Sequence, residues 1–205
     1  MHLDFLEIGT SNFDTLLQTC DDTQIGMSVE PLKFYLDDLP DRPLVRKVHA
    51  AITHNKSSDS IRIFYIPPSV IDQYGLPQWF KGCNKIGDYH PLHKYHHVEH
   101  YVKIEDVPLL NVDEFFKLHS IESIKFLKID TEGHDTVILR GLFEYLQTVG
   151  TETYPLKIQF ESNENTKATD VDDIIFLFTS LGYKLAFRGY DTLLEYKSGN
   201  NVHSF

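Results

Sequence analysis

Within the stretch FLKIDTEGHDTVILRG, Phe126 to Gly141, the residues Asp130, Glu132, His134 and Asp135 put four groups able to carry charge or a proton into six positions. Carboxylates and an imidazole so close in sequence can move a proton or accept hydrogen bonds from a polar ligand. The apolar run ahead of Asp130 reads as a buried strand, and Ile138, Leu142, Tyr145 and Val149 behind it recur at helical spacing. Gly133 supplies the turn between them. A plainer use of the acids is capping, because Asp, Glu and His at a helix start satisfy its free N–H groups. Capping accounts for Asp135 and extends to Glu132. It accounts less well for Asp130, since a carboxylate that closes a central strand loses solvation with no structural return.

Two other strand ends carry comparable residues. Gly9 closes the apolar run Leu3 to Ile8 and allows a tight turn with close backbone approach to a ligand. Glu30 ends the run QIGMSVEP some twenty residues later, where α/β nucleotide-binding domains place an acid that accepts hydrogen bonds from ribose hydroxyls. Alone, each reads as a turn glycine and a solvated charge; the pair at this distance says more. Neither GxGxxG nor GxxxxGK[ST] is present, which excludes those two phosphate cradles.

The elements that must position these residues alternate. After the first strand comes a short helix to Thr19, capped by Asn12 or Asp14, then the strand ending at Glu30 and the helix LKFYLDDL stopped by Pro40. VRKVHAAI reads as a third strand and SIRIFYI as an antiparallel edge strand. YVKIEDVPL is extended, and NVDEFFKL is a helix capped by Asn111. The strands IKFLKID and LKIQFES follow, the second ending beside Glu161. Thr169 then opens a helix with the stripe Ile174, Leu177, Phe178 and Leu181, stopped at Gly182. YKLAFRG and DTLLEYK close the chain as a hairpin. Such alternation predicts an α/β fold, a mainly parallel sheet with helices on both faces, whose ligands sit at the carboxyl ends of the strands.

The chain of 205 residues fits one domain, 1–205, interrupted by a segment at about 67–101 with no clear period. A formal charge of −11 argues against general nucleic-acid binding or attachment to anionic membranes. No apolar run is long enough to span a bilayer, and Cys20 and Cys83 form no disulfide framework, so a cytoplasmic setting is expected. The abrupt start into a core strand suggests a domain excised from a longer multidomain polypeptide.

FLKIDTEGHDTVILRG resembles the signature segment of the FkbM-type methyltransferases that use S-adenosylmethionine. FLEIGTSNFDTL is similar to that family's first cofactor motif, SVEP to its acidic strand end, and VHAAIT to the segment lining the adenine pocket. The four matches run in order across most of Leu3 to Gly141, and Asp130 to Gly133 is the most specific. The resemblance implies a class I methyltransferase (Rossmann-like) sandwich with a C-terminal antiparallel hairpin strand. It implies Glu7, Gly9, Thr10 and Ser11 toward the methionine end of the cofactor, Glu30 on the ribose, and Ala51 and Ile52 beside adenine. The chain departs from many relatives in passing from Gly9 through Thr10 and Ser11 straight to Asn12, without a second glycine.

Methyl transfer from a sulfonium is an in-line displacement, and a general base raises the reactivity of a hydroxyl acceptor. Asp130, His134 and Glu161 are the candidates for that catalytic role, with Asp130 equally suited to hold the cofactor's ammonium group. His134 stays open between cap and catalyst. The histidines of DYHPLHKYHHVEHY could share a helical face and bind a metal, but no known metal motif fits and Pro91 disturbs the helix start, so no metal site is assigned. The segment 67–101 reads instead as the acceptor wall, with Trp79 and Tyr89 stacking on a sugar ring and His93 bonding its hydroxyls. The function expected is O-methylation of a sugar hydroxyl in a glycan, in company with glycosyltransferase domains. The alternatives are a non-sugar small-molecule acceptor and a non-catalytic module that keeps the cofactor pocket; RNA and protein acceptors fit the acidic balance poorly.

Overall fold

The structure, a computed structural model, describes residues 1–13 and 15–197. In chain order the elements are β1 (His2–Ile8), α1 (Leu16–Thr19), β2 (Gly26–Glu30), α2 (Lys33–Asp38), β3 (Val45–His49), β4 (Ala51–Thr53), β5 (Ser60–Tyr65), α3 (Pro68–Tyr74), β6 (Lys85–Ile86) and α4 (Pro91–Tyr95). There follow β7 (Lys103–Asn111), α5 (Val112–Leu118), β8 (Ser123–Ile129), α6 (Asp135–Leu146), β9 (Lys157–Glu161), α7 (Ala168–Ser180), β10 (Tyr183–Arg188) and β11 (Asp191–Tyr196).

Seven strands form the main sheet in the order β10-β11-β9-β8-β1-β2-β3. Neighbours from β3 to β9 run parallel, and β11 lies antiparallel to both β9 and β10, which is the reversed hairpin strand expected from the sequence. Strand order reverses between β1 and β8, so their carboxyl ends, at Gly9 and Asp130, flank the crevice where ligands of such sheets sit.

The apolar periodicities become one large core and smaller clusters beside it. Leu3, Leu6 and Ile8 of β1 and Leu127 and Ile129 of β8 pack with Phe115 of α5, Leu139 and Leu142 of α6, and Ile174 and Phe178 of α7. Leu17 of α1 and Leu36 and Leu39, in and just after α2, form a separate cluster with Val45. Each such side chain, fully buried, contributes roughly 1.5–3 kcal/mol.

Four local expectations change. Thr15 caps α1 in a reciprocal capping box with Gln18, while Asn12 donates to Asp38 Oδ2 at 3.2 Å; Asp14 lies outside the described residues. The strand expected over VRKVHAAI divides at Ala50, β3 staying in the main sheet and β4 joining a second sheet of order β4-β7-β5-β6. There β5 pairs antiparallel on both sides, so it is an interior strand of that second sheet. Similarly, α7 starts at Ala168 after Lys167, one residue ahead of Thr169.

The segment 67–101 is built of short pieces, none longer than seven residues, around a core of Ile66, Ile71, Phe80, Cys83 and Val98. Prolines begin its helices: Pro68 opens α3, Pro77 precedes a 3-10 turn over Gln78–Lys81, and Pro91 opens α4. Among the described residues no helix is long and apolar enough to cross a membrane.

Candidate active site

One cleft opens at the carboxyl ends of β1, β2 and β8, with about 830 Å³ of empty space including its mouth. One wall is Gly9, Thr10, Ser11 and Glu30 with Ala51 and Ile52 beside them; the other is Gly82, Asn84, Lys85 and Ile86; Lys128, Asp130, Thr131 and Glu132 lie between.

The first wall is set by backbone. Gly9 has φ +84, and a Cβ there would collide with the Asp130 carbonyl oxygen, so only glycine lets β1 and β8 end so close together. The following turn holds Ser11 at φ +53 and aims its N–H at Glu30 Oε2, 2.7 Å away. Leu32 N–H donates to Glu30 Oε1 at 2.9 Å. Burial raises the Glu30 carboxyl to about 7 against the pull of these two donors. Each oxygen keeps a lone pair for a ligand hydroxyl. Ser11 Oγ is buried and has no protein partner, although Ser11 lines the cleft.

Glu7 lies under this wall, fully buried. Both its oxygens accept the Leu16 N–H at the start of α1, and Lys128 donates to Oε1 at 3.2 Å. Its place is to brace the turn rather than line the cleft. Burial shifts its carboxyl upward.

The opposite side gathers side-chain acids. One oxygen each from Asp130, Glu132 and Glu161 falls within 4.8 Å of the others. Desolvation, then neighbouring negative charge, lifts Glu132 to about 8 and Glu161 to about 9. Protons or a cation can relieve such crowding, and Lys85 and Lys128 face the same cleft. Glu132 occupies a left-handed backbone position, φ +54, ahead of Gly133 at φ +90. Its Oε2 accepts from Asn165 Nδ2 at 3.0 Å and from His90 Nε2 at 3.1 Å.

The remaining candidates fall elsewhere. Asp135 is not an N-cap: it is the first residue of α6, fully buried, and it accepts from Thr131 Oγ1 at 2.8 Å and Glu161 N–H at 3.2 Å, tying β8 to β9. His134 precedes α6 without a side-chain cap, and its Nε2 lies 3.1 Å from Thr53 Oγ1. Burial keeps that ring neutral, holding it near pH 4. Glu161 is held by Asn163 through Oε1, and its Oε2 is buried without a partner.

On the second wall, Trp79 is 44% exposed and stacks on Phe80, Tyr89 meets Phe64 edge-on, and His93 is fully buried beside Phe80. None of the three lines the cleft; Gly82, Asn84, Lys85 and Ile86 do. Among the described residues the histidines of this segment do not bring three ligand atoms together. Sequence reasoning missed His90 and Asn165. For His90, its place directly before Pro91 was a readable helix-start signal; for Asn165 nothing in the local pattern marked it.

A parallel sheet with this strand order, a reversed hairpin strand, and an acid-lined cleft at the β1/β8 switch point define a Rossmann-like methyltransferase fold. The model of the methyltransferase FkbM domain matches residues 7–185, and the chain belongs to that family. No curated protein and no solved structure matches it.

Proposed function

We propose that the chain transfers a methyl group from S-adenosylmethionine to a hydroxyl of a sugar in a glycan. The observation that carries the cofactor half is Glu30, doubly anchored by main-chain N–H groups beside the Gly9–Ser11 turn, with acceptor capacity left for two ribose hydroxyls. The donor set suits the group in two further ways. Ser11 Oγ is a buried polar atom in want of a partner, and the carboxylates of the cleft favour a ligand bearing a sulfonium and an ammonium.

In this reading Gly9, Thr10 and Ser11 hold the amino-acid end, Ala51 and Ile52 flank the adenine, and Glu7 steadies the turn through Leu16. The bound cofactor supplies an electrophilic methyl; the chain aligns the acceptor in line with it and excludes water. Asp130, at the end of β8 between the two walls, either holds the ammonium group or acts on the acceptor. His134 and Glu161, farther back, shape the field around it. Polar Asn84 and Lys85 on the second wall suit a hydroxylated acceptor, with Trp79, Tyr89 and His93 in the segment that carries them. A cytoplasmic setting belongs to the same proposal, supported by Cys20 and Cys83, both free and buried.

Calorimetric titration with S-adenosylmethionine tests the cofactor half, and mass spectrometry of methyl transfer to monosaccharides and short oligosaccharides tests the acceptor. No binding at millimolar cofactor ends the enzyme reading. Binding without transfer to any acceptor leaves the non-catalytic module.

A further inference from the structure

The short helix α4 begins at His90, whose ring acts as its N-cap: Leu92 N–H donates to His90 Nδ1 at 3.2 Å. That nitrogen therefore carries no proton. His90 is fully buried, and desolvation, aided by Lys85, keeps the ring neutral, near pH 4. A neutral ring with an accepting Nδ1 must carry its proton on Nε2, and Nε2 lies 3.1 Å from Glu132 Oε2. The cap thus fixes the tautomer, and the tautomer makes His90 a donor to Glu132.

Asn165, from the loop before α7, donates to the same oxygen at 3.0 Å. Both donors fall on Oε2, and Oε1 takes no hydrogen bond among the described residues. Oε1 lies beside Gly82: a Cβ built on Gly82 would come within 3.3 Å of it, and Gly82 lines the cleft. Two chain segments distant in sequence therefore clamp one oxygen of a carboxylate and leave the other beside open space. The left-handed φ of +54 at Glu132 is a costly conformation for a residue with a side chain, and such positions concentrate at functional sites.

The other acids are placed differently. Glu161 is outside the cleft lining, held by Asn163. Asp130 abuts Gly9 through its carbonyl, on the cofactor side. His134 is spent on Thr53.

We propose that Glu132, oriented by His90 and Asn165, is the general base that takes the proton of the acceptor hydroxyl. The inference rests on the O-methyl transfer reading above. As the acceptor oxygen forms its bond to the methyl carbon, the carbon–sulfur bond breaks with its electron pair left on sulfur. The hydroxyl proton passes to Glu132 Oε1 and then to water at the mouth of the cleft. Around Glu132 stand Asp130 on its own turn, Glu161 on β9, and Lys85, Cys83 and His90 on the second wall; desolvation and Asp130 outweigh Lys85 and raise the carboxyl to about 8. A base so raised has proton affinity suited to transfer near neutral pH.

The test pairs Glu132→Gln with His90→Asn in the whole chain. Asparagine keeps a capping acceptor for Leu92 and removes the donor to Glu132. Cofactor affinity is read by calorimetry with S-adenosylmethionine, transfer by mass spectrometry on a panel of methyl glycosides, catechols and hydroxy acids, and the His90 tautomer by imidazole ¹⁵N spectra. Glu132→Gln is expected to bind the cofactor within about threefold of the parent and to lose on the order of 10²–10⁴ in transfer rate. His90→Asn is expected to lose about tenfold in kcat with KM unchanged. The parent spectra are expected to show His90 protonated on Nε2, with that proton's resonance moving in Glu132→Gln. Transfer by Glu132→Gln within threefold of the parent overturns the base role, as does loss of cofactor binding in step with transfer. A His90 ring protonated on Nδ1 overturns the clamp, and this spectrum is read whether or not any acceptor is found. Failure of the parent to bind the cofactor is a separate result that sinks the methyltransferase reading instead.

Discussion

Glu30 and Glu132 face the same cleft from its two sides and are held in opposite ways. Glu30 accepts two main-chain N–H groups, from Ser11 in the turn after β1 and from Leu32 at the start of α2, nineteen and two residues away. Glu132 accepts two side-chain donors, His90 and Asn165, brought from segments 42 and 33 residues away. Both carboxyls are raised by burial, to about 7 and about 8. Main-chain donors in a tight turn have little freedom to relax, so the Glu30 wall suits a ligand that must be held the same way each time. Side-chain donors depend on two loops staying docked, so the Glu132 side couples the acid to the position of the second wall.

The largest effect is expected where the two sides touch. Gly9→Ala forces a Cβ against the Asp130 carbonyl at a φ of +84, and the strain should cost about 3 kcal/mol. Urea unfolding checks the cost, and calorimetry should show cofactor binding lost. A variant of unchanged stability would mean that the ends of β1 and β8 are looser than this geometry requires.

Next comes Glu30→Gln. The amide keeps one accepting oxygen and turns an NH₂ toward a main-chain N–H, so cofactor affinity should fall by about 10- to 100-fold, the size of one or two charge-assisted hydrogen bonds. Stability should change less, because the turn itself is held by Gly9 N–H to Val29 O at 2.9 Å. Equal losses from Glu30→Gln and Glu132→Gln in cofactor binding would erase the contrast between the walls.

The pH dependence of stability separates them further. Four of the raised acids, Glu30 and Asp135 at about 7, Glu132 at about 8 and Glu161 at about 9, bind protons in the fold that the unfolded chain has already released above roughly pH 4.5. With more protons bound to the folded state, stability falls as pH rises from about 5 to about 9. Denaturant midpoints across that range measure it. Glu30→Gln should flatten the slope from about 4.5 to about 7, and Glu132→Gln from about 4.5 to about 8, so between 7 and 8 only the second variant changes it.

The same contrast explains what could be read in advance. Gly9 and Glu30 belong to strand ends, where a short apolar run and one terminal residue identify both the element and its outward position. The parallel sheet, its terminal hairpin and the clustering of Asp130 with the first wall were legible for that reason. The second wall was not. Its pieces between Pro67 and Tyr101 are too short to show a period, and its prolines, read as breaks, are helix starts. Asp135 was read as a cap because charge at a helix start has that use, yet its carboxylate joins Thr131 to Glu161, a tertiary tie that sequence spacing does not express. The split of β3 from β4 at Ala50 likewise arises from pairing with β7, 58 residues on at Ala51↔Leu109.

The smallest expected effect falls on Trp79, chosen from the sequence as a sugar platform. At 44% exposure, stacked on Phe80 with ring centroids 4.0 Å apart, it covers the core of the second wall from outside and does not line the cleft. Trp79→Ala should therefore cost under about 1 kcal/mol beyond the apolar area it uncovers and change acceptor KM by less than about twofold. Steady-state kinetics on whichever acceptor the screen identifies decides this. A tenfold rise in KM with unchanged kcat would place part of the acceptor on the outer face of the second wall, against Trp79 and its neighbour His96. The two sides would then differ in reach as well as in how they hold an acid: the Glu30 wall closing on a compact ligand, and the Glu132 side opening onto a surface long enough to take more than one sugar ring.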